Sequence, residues 1–327
     1  MQADRRRLNA PAGGTTPPTF AASPNQTPPR PTRSRKPDEH RKIFLRSGIV
    51  PSASGSAYYE IPPQSPKQQD SLLIPQSSSL KITCTVHGPR PLPRNAAFSP
   101  NLLLSTHVKF APFATRTRRG YVRDAAERDL GVHLETALRG VVIGERWPKS
   151  GCEVVITVLE GEEDGWWGDA RSGQGGGKAG GWGLMGVLAG CVTVASAALV
   201  DAGIDCVDLV TGGVAAVVQD GDGPSNDGIV VVDPTPSQHS EIRAACVVGY
   251  LQSRDEVTEM WMKGDAGLHA ESLVDSAVKA ASLARIVLAE VVKEAVEAKM
   301  SIGLGTSNTN GSVREAEGKQ KDVVMTG

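Results

Sequence analysis

The spacing most suggestive of chemistry is Gly175-Gly-Gly177-Lys-Ala-Gly180, which formally fits the G-x-G-x-x-G fingerprint of a dinucleotide site. Glycines so placed let a backbone approach a pyrophosphate and aim its amides at it from a helix N-terminus. Three observations weigh against that use. The connection from Leu159 to Leu184 is too long for a tight strand-to-helix turn. The loop is so rich in glycine that the match comes easily, and Lys178 is followed by Ala179 where a P-loop needs Ser or Thr. A nucleotide-binding module using residues 173–180 stays as one alternative, and a flexible insertion is the plainer reading. The histidines His40, His87, His107, His133, His239 and His269 show no H-x-x-x-H or H-E-x-x-H spacing, and no G-x-S-x-G occurs. Neither a metal site nor a catalytic triad is indicated, and no cofactor is expected.

A second pattern concerns anions. Between Ser71 and Arg123 there is no Asp or Glu, yet there are eight bases: Lys81, Arg90, Arg94, Lys109, Arg116, Arg118, Arg119 and Arg123. The stretch carries net +8 in a chain of net charge −1. It also holds two strand-like runs, Leu80–His87 and Ser105–Ala111, so its charge sits on a folded surface of fixed geometry. The simplest polyanion for such a surface is single-stranded nucleic acid, held through its backbone. The alternative is a solvated face balanced by acids from elsewhere in the fold. Gly88-Pro89-Arg90, with Arg94, reads as a turn at a strand end that presents arginines to phosphates. Arg116, Arg118 and Arg119 are second candidates, because they could instead pair with acids of the helix that follows.

The elements that position these residues are legible in outline. Residues 1–40 are rich in Pro, Thr, Ser and Arg without periodicity and read as a disordered basic tail. Residues 41–300 read as the folded domain and 301–327 as a loose tail. Within the domain, strands are expected at Ile43–Val50, Ser56–Ile61, Leu80–His87 and Glu153–Leu159. Low-complexity loops are expected at 62–79 and 160–183. A helix over Arg123–Val141 places Leu130, Leu134, Ala137, Leu138 and Val141 on one face, with Asp124 as its cap. Strands near Cys206–Val210, Val214–Gln219, Ile229–Asp233, Ala245–Leu251 and Val257–Met262 precede a long amphipathic helix over Leu268–Lys299. Strands in runs with few long helices indicate an α+β domain.

Charge divides the chain. Residues 1–42 carry net +6 and residues 124–327 net −15, which suggests one face for anions and another for basic partners. The five cysteines, Cys84, Cys152, Cys191, Cys206 and Cys246, lie far apart in apolar runs, as buried thiols of a reducing compartment do. No signal peptide is read at the start of the chain. The uncharged run Leu184–Val200 is short for a membrane span and lacks basic flanks. It reads as the helix at the centre of a layered core, and no membrane partner is expected.

Several of these residues resemble a known family. Arg46-x-Gly48, Gly55-Ser-Ala-Tyr58-x-Glu60, Lys81-Ile-Thr-Cys-Thr-Val-His-Gly-Pro-Arg90, Val108-Lys-Phe-Ala-Pro-Phe113, Ala198-Leu199-x-Asp201-Ala-Gly203-Ile204 and Asp208-Leu-Val210 resemble, in family order, the RNase PH family over residues 41–300. Within it, Val230-Val-Val-Asp-Pro-Thr235 and the basic, Pro-rich start are most similar to the ring subunits of the eukaryotic RNA exosome. The resemblance implies an RNase PH-like fold of two β-α-β-α units, the ribosomal protein domain 2-like architecture. Active members degrade RNA from its 3′ end with phosphate, which they hold on a Gly-Thr/Ser-Arg turn before the central helix. That turn matches Gly186-Val187-Leu188 here, with neither hydroxyl nor guanidinium. Their two catalytic acids match positions near His239 and Ala245, and Glu241 is the one carboxylate of that stretch, out of register.

The resemblance therefore implies a catalytically silent ring subunit with a structural and RNA-channel role in 3′-to-5′ RNA processing and turnover, including rRNA processing. Its partners would be single-stranded RNA, other RNase PH-like subunits and cap proteins, in nucleus, nucleolus and cytoplasm. Arg90 and Arg94 would face the pore. The alternative within the family is an active phosphate-dependent exoribonuclease.

Overall fold

The computed structural model describes residues 31–62, 79–115, 118–165, 181–219 and 228–321, with side chains followed to Ser301. The first half is built from strands that alternate. β1 (Phe44–Ser47) and β2 (Gly55–Ile61) lead to β3 (Leu80–Pro91). In β3, Leu80, Ile82, Cys84 and Val86 are buried while Lys81, Thr83, Thr85 and His87 lie half-exposed on the other face. This period of two is that of a sheet with one face packed and one face open. β2 pairs antiparallel with β3, Ile61 opposite Leu80, so the Pro/Gln/Ser-rich connection does join two paired strands. Its residues 63–78 lie outside the described residues.

β4 (Leu103–Phe110) runs parallel to β5 (Ser150–Glu160), and α1 (Ala125–Arg139) makes the crossover between them. The sheet order is β1-β2-β3-β5-β4. Asp124 caps α1 as expected, in a capping box with Glu127. Glu127 is itself buried. One carboxylate oxygen accepts from the Phe110 amide at 2.9 Å and the other from Lys109 Nζ at 3.0 Å, so the helix start and the end of β4 are fixed together.

The central helix α2 (Trp182–Asp201) is apolar all round and almost wholly buried. It packs on β2 and β3 of the first sheet and on β6 (Val210–Gln219) and β8 (Glu241–Leu251) of the second. By length and composition it could cross a bilayer, but 89% of its apolar window is buried inside the protein. The second sheet has the order β7-β6-β8-β9, all antiparallel, with β7 at Ile229–Val232 and β9 at Glu256–Gly264. α3 (Ala270–Lys321) covers its other face. Adjacent glycines make this sandwich possible. A Cβ on Gly212 would collide with the α2 backbone at Ala189, and one on Gly213 with α3 at Ala277 and Ala281. Successive strand residues point to opposite faces, so the pair admits one helix on each side.

The order of elements is the expected α+β order, with local differences. Cys206–Val210 is not a strand. Cys206 forms a single bridge with Val142, and β6 begins only at Val210. Gly88-Pro89-Arg90 is not a turn at a strand end. β3 continues through it to Pro91 with an irregularity between His87 and Arg90, and Arg90 pairs with Gly151. Gly88 has φ +144, and a Cβ there would meet the Gly151 carbonyl at 2.8 Å, so the motif is a bulge that only glycine fits. The folded part also reaches further back than composition places it, since Arg33 and Arg35 pack on the second half of the chain. The described cysteines are free thiols whose burial raises their pKa, Cys152 to about 12 and Cys246 to about 11.

Candidate functional site

β4 ends at Phe110 beside Val158 of the parallel strand β5, which ends two residues later at Glu160. Ligands of such sheets gather beyond the carboxyl ends of the strands, and here the β4–α1 loop, the residues after β5 and the start of α2 meet. Gly161 N–H donates to the Ala114 carbonyl at 2.9 Å, which holds the first two together. Asp164 accepts from the amides of Gly181 (3.0 Å) and Gly183 (2.8 Å), so a carboxylate of the chain already caps α2, whose N-cap Gly181 sits at φ +64. The loop of residues 160–183 is thus not uniformly loose. Its two ends are packed, while 166–180, including the Gly175–Gly180 fingerprint, lie outside the described residues.

Glu162 is buried against Gly186, where a Cβ would collide with its carboxylate. It pairs with Arg41 Nη1, and Arg41 clasps Asp233 with one edge of its guanidinium, Nε to Oδ2 and Nη2 to Oδ1 at 2.7 Å each. The Arg41 amide adds a third contact to Asp233 at 3.0 Å and Arg35 a fourth at 3.2 Å. Arg33 reaches the Val232 and Asp233 carbonyls, and Val232 N–H donates to the Pro37 carbonyl. This bidentate, multiply bonded arrangement is what a buried charge requires. Burial pushes the Asp233 carboxyl up, but the charges of Arg41, His40 and Arg35 outweigh it and hold the group far below the usual carboxylate range. Glu162 has the single Arg41 contact, and its burial dominates, raising its pKa. Asp233, at φ +51, ends β7 in a left-handed turn.

The positions matched to phosphate and acid chemistry carry neither. Gly186, Val187 and Leu188 do not form a turn before the helix. They lie within α2, buried, Val187 at 0% and Leu188 at 1% exposure. Ala245 is a core residue of β8 opposite Ala216, His239 is buried at the end of a short 3₁₀ turn, and Glu241 is exposed at the start of β8.

The basic stretch resolves into two classes. Lys81 pairs with Glu160, Lys109 with Glu127 and Arg119 with Asp124, all acids from outside the stretch. Arg123 bonds His107. Arg90, Arg94 and Arg118 are exposed, and their side chains make no hydrogen bond or ion pair among the described residues. Arg116 lies outside the described residues. The structure does not bring the open arginines together. Arg90 sits beside Gly151 at the amino end of β5, and Arg118 follows the carboxyl end of β4. The length of β4, eight residues, separates them by roughly 25 Å at about 3.3 Å per residue. Sequence reasoning missed Arg33, Arg35, Glu162 and Asp164. The motif that would have found them is a basic segment ahead of the first strand combined with carboxylates at the ends of β5 and β7.

The two sheets, the helix sealed between them and the site at the end of β5 define an RNase PH-like domain. The chain belongs to the 3′ exoribonuclease family, whose domain 1 profile matches residues 39–205. Among its relatives, the Chaetomium thermophilum protein named exosome complex component MTR3 is 50% identical over 299 residues, 90% of this chain and 99% of that protein. The Schizosaccharomyces pombe protein of the same name is 30% identical over 287 residues, 87% of this chain and 94% of that one. The crystal structure of rice (Oryza sativa) Rrp46 superposes with a TM-score of 0.57 at 16% identity, covering 80% of this chain and 98% of that one, which supports the fold.

Proposed function

We propose that this chain is a catalytically silent subunit of an exosome ring, with a structural role and a share in guiding RNA to be processed or degraded from its 3′ end. The names of its relatives, exosome complex components, support assembly with other exosome subunits, which this reading takes to be RNase PH-like ring subunits and cap proteins. The observation that carries silence is the filled anion seat. Phosphorolysis needs an attacking phosphate held in place and a leaving group assisted by acid or metal. Here the Gly181 and Gly183 amides at the start of α2 are taken by Asp164, and the matched residues Val187, Leu188 and Ala245 are apolar and buried. Glu241, the one carboxylate near the matched acids, lies exposed at the start of β8. Arg90 and Arg94 supply the RNA contact of this reading, with Arg118 second. Work in nucleus, nucleolus and cytoplasm, including rRNA processing, is part of the same proposal.

The test is incubation of the purified chain with end-labelled RNA and phosphate. The expected result is no nucleoside diphosphate. Release that disappears in Glu241→Gln would establish the active alternative instead.

A further inference from the structure

Two aromatic side chains flank Arg118 with no packing to account for them. Tyr121 is 97% exposed and Phe113 74%. Beside them, Arg119 N–H donates to the Pro112 carbonyl at 3.2 Å. Gly120 and Arg119 are braced by Lys109 Nζ on the Gly120 carbonyl at 3.1 Å and by the Arg119 guanidinium, 4.7 Å over the Phe110 ring and bonded to Asp124. Phe113 and Tyr121 thus lie next in sequence to braced residues, while Asp124, the nearest carboxylate in sequence, is consumed by Arg119 and the α1 cap.

Exposed rings interleaved with unpaired arginine are the composition of a single-strand stacking platform. Every base offers a π-face to an aromatic ring, and the arginine meets the adjoining phosphate. We propose that Tyr121 and Phe113 stack unpaired RNA bases beside a phosphate held by Arg118, as a second RNA contact roughly one strand length from Arg90 and Arg94. The proposal rests on the RNA-guiding reading above. It differs in kind from a backbone contact, because it requires bases. Charge selects RNA over a protein partner for this surface. Lys109 and Arg119 take up the nearby acids Glu127 and Asp124, and the Arg118 side chain is left exposed with no partner among the described residues.

The test is photocrosslinking in the assembled complex containing the full chain, with single-stranded RNA bearing 5-iodouridine, whose base couples to an aromatic ring stacked on it. Crosslinked peptides carrying Tyr121 or Phe113 are expected. Phe113→Ala with Tyr121→Ala should cut that yield at least about tenfold, and Tyr121→Trp should keep it. Crosslinks that appear near Arg90 and Arg94 but not at these rings would overturn the stacking proposal and leave the RNA reading standing. Absence of any crosslink to this chain would remove both. Failure of the double alanine variant to enter the complex would assign the rings to a protein contact and also overturn the proposal.

Discussion

Arginine plays opposite parts in two regions of this molecule. At the joint between the two halves, Arg41 is buried and fully engaged by Asp233 and Glu162, with Arg33 and Arg35 around it. At the two ends of the first sheet, Arg90, Arg94 and Arg118 are exposed and unpaired among the described residues. The difference is one of partner supply. The sealed arginines have a carboxylate delivered from almost 200 residues away, Asp233, and Arg41 has a second, Glu162, from beyond the end of β5. The open ones lie in a stretch from which acids are missing. A sealed arginine acts on stability and an open one on association with something outside the chain.

Breaking the sealed joint should have the largest effect. Arg41→Ala leaves Asp233 and Glu162 buried without their main counter-charge and should cost about 3–5 kcal/mol, read as a lowered urea midpoint of the chain in its complex. An unchanged midpoint would mean that the cluster is solvated. The pH dependence sharpens the point. Asp233 has its pKa depressed by folding, so its contribution is present above the ordinary Asp value and is lost as pH falls below about 4. The stability gap between wild type and Asp233→Asn should therefore be constant from about pH 5 to neutrality and shrink in more acid solution.

A smaller effect separates two deletions in the glycine-rich loop. Removing 167–179 spares Glu162 and Asp164, and since each doubling of loop length costs only about 0.6 kcal/mol, the shorter loop should leave the unfolding midpoint nearly in place. Removing 162–181 also takes Glu162 from Arg41 and Asp164 from the α2 amides, and should cost about 2 kcal/mol or more. Equal midpoints for the two deletions would show that Glu162 and Asp164 hold nothing.

The open arginines should have the smallest effect on folding. Arg90→Glu with Arg94→Glu should leave the unfolding midpoint and complex assembly unchanged. The variant should weaken binding of single-stranded RNA for every sequence alike, and the slope of log affinity against log salt should flatten by about 0.7 for each phosphate no longer neutralised. Unaltered affinity and slope would make that end of the sheet a surface for protein instead.

What was legible in the sequence follows the range of the interaction that writes it. Asp124 announces α1 because a cap acts within three residues, and Leu80, Ile82, Cys84 and Val86 announce β3 because the strand period is local. The apolar circumference of Leu184–Val200 announces burial without naming what buries it. The joint was not legible. Arg41 and Asp233 are 192 residues apart, and Arg33 and Arg35 sit in a segment whose composition reads as tail. Glu162 and Asp164 stand at the edge of a glycine-rich run that masks them, and Gly88-Pro89 reads as a turn until the pairing of Arg90 with Gly151 shows a bulge. Of the candidate site, the way Asp164 and Glu162 fill it came only from packing.

The fork of Arg41 on Asp233 also fixes an order of events during synthesis. The basic segment leaves the ribosome first, and its partner follows 192 residues later, about 10–40 s at roughly 5–20 residues per second. Through that interval Arg33, Arg35 and Arg41 are solvated cations on a half-made protein, and the joint closes only after β7 has emerged. A tag or truncation that reaches into Arg33–Arg41 therefore does its damage to the half of the chain made last.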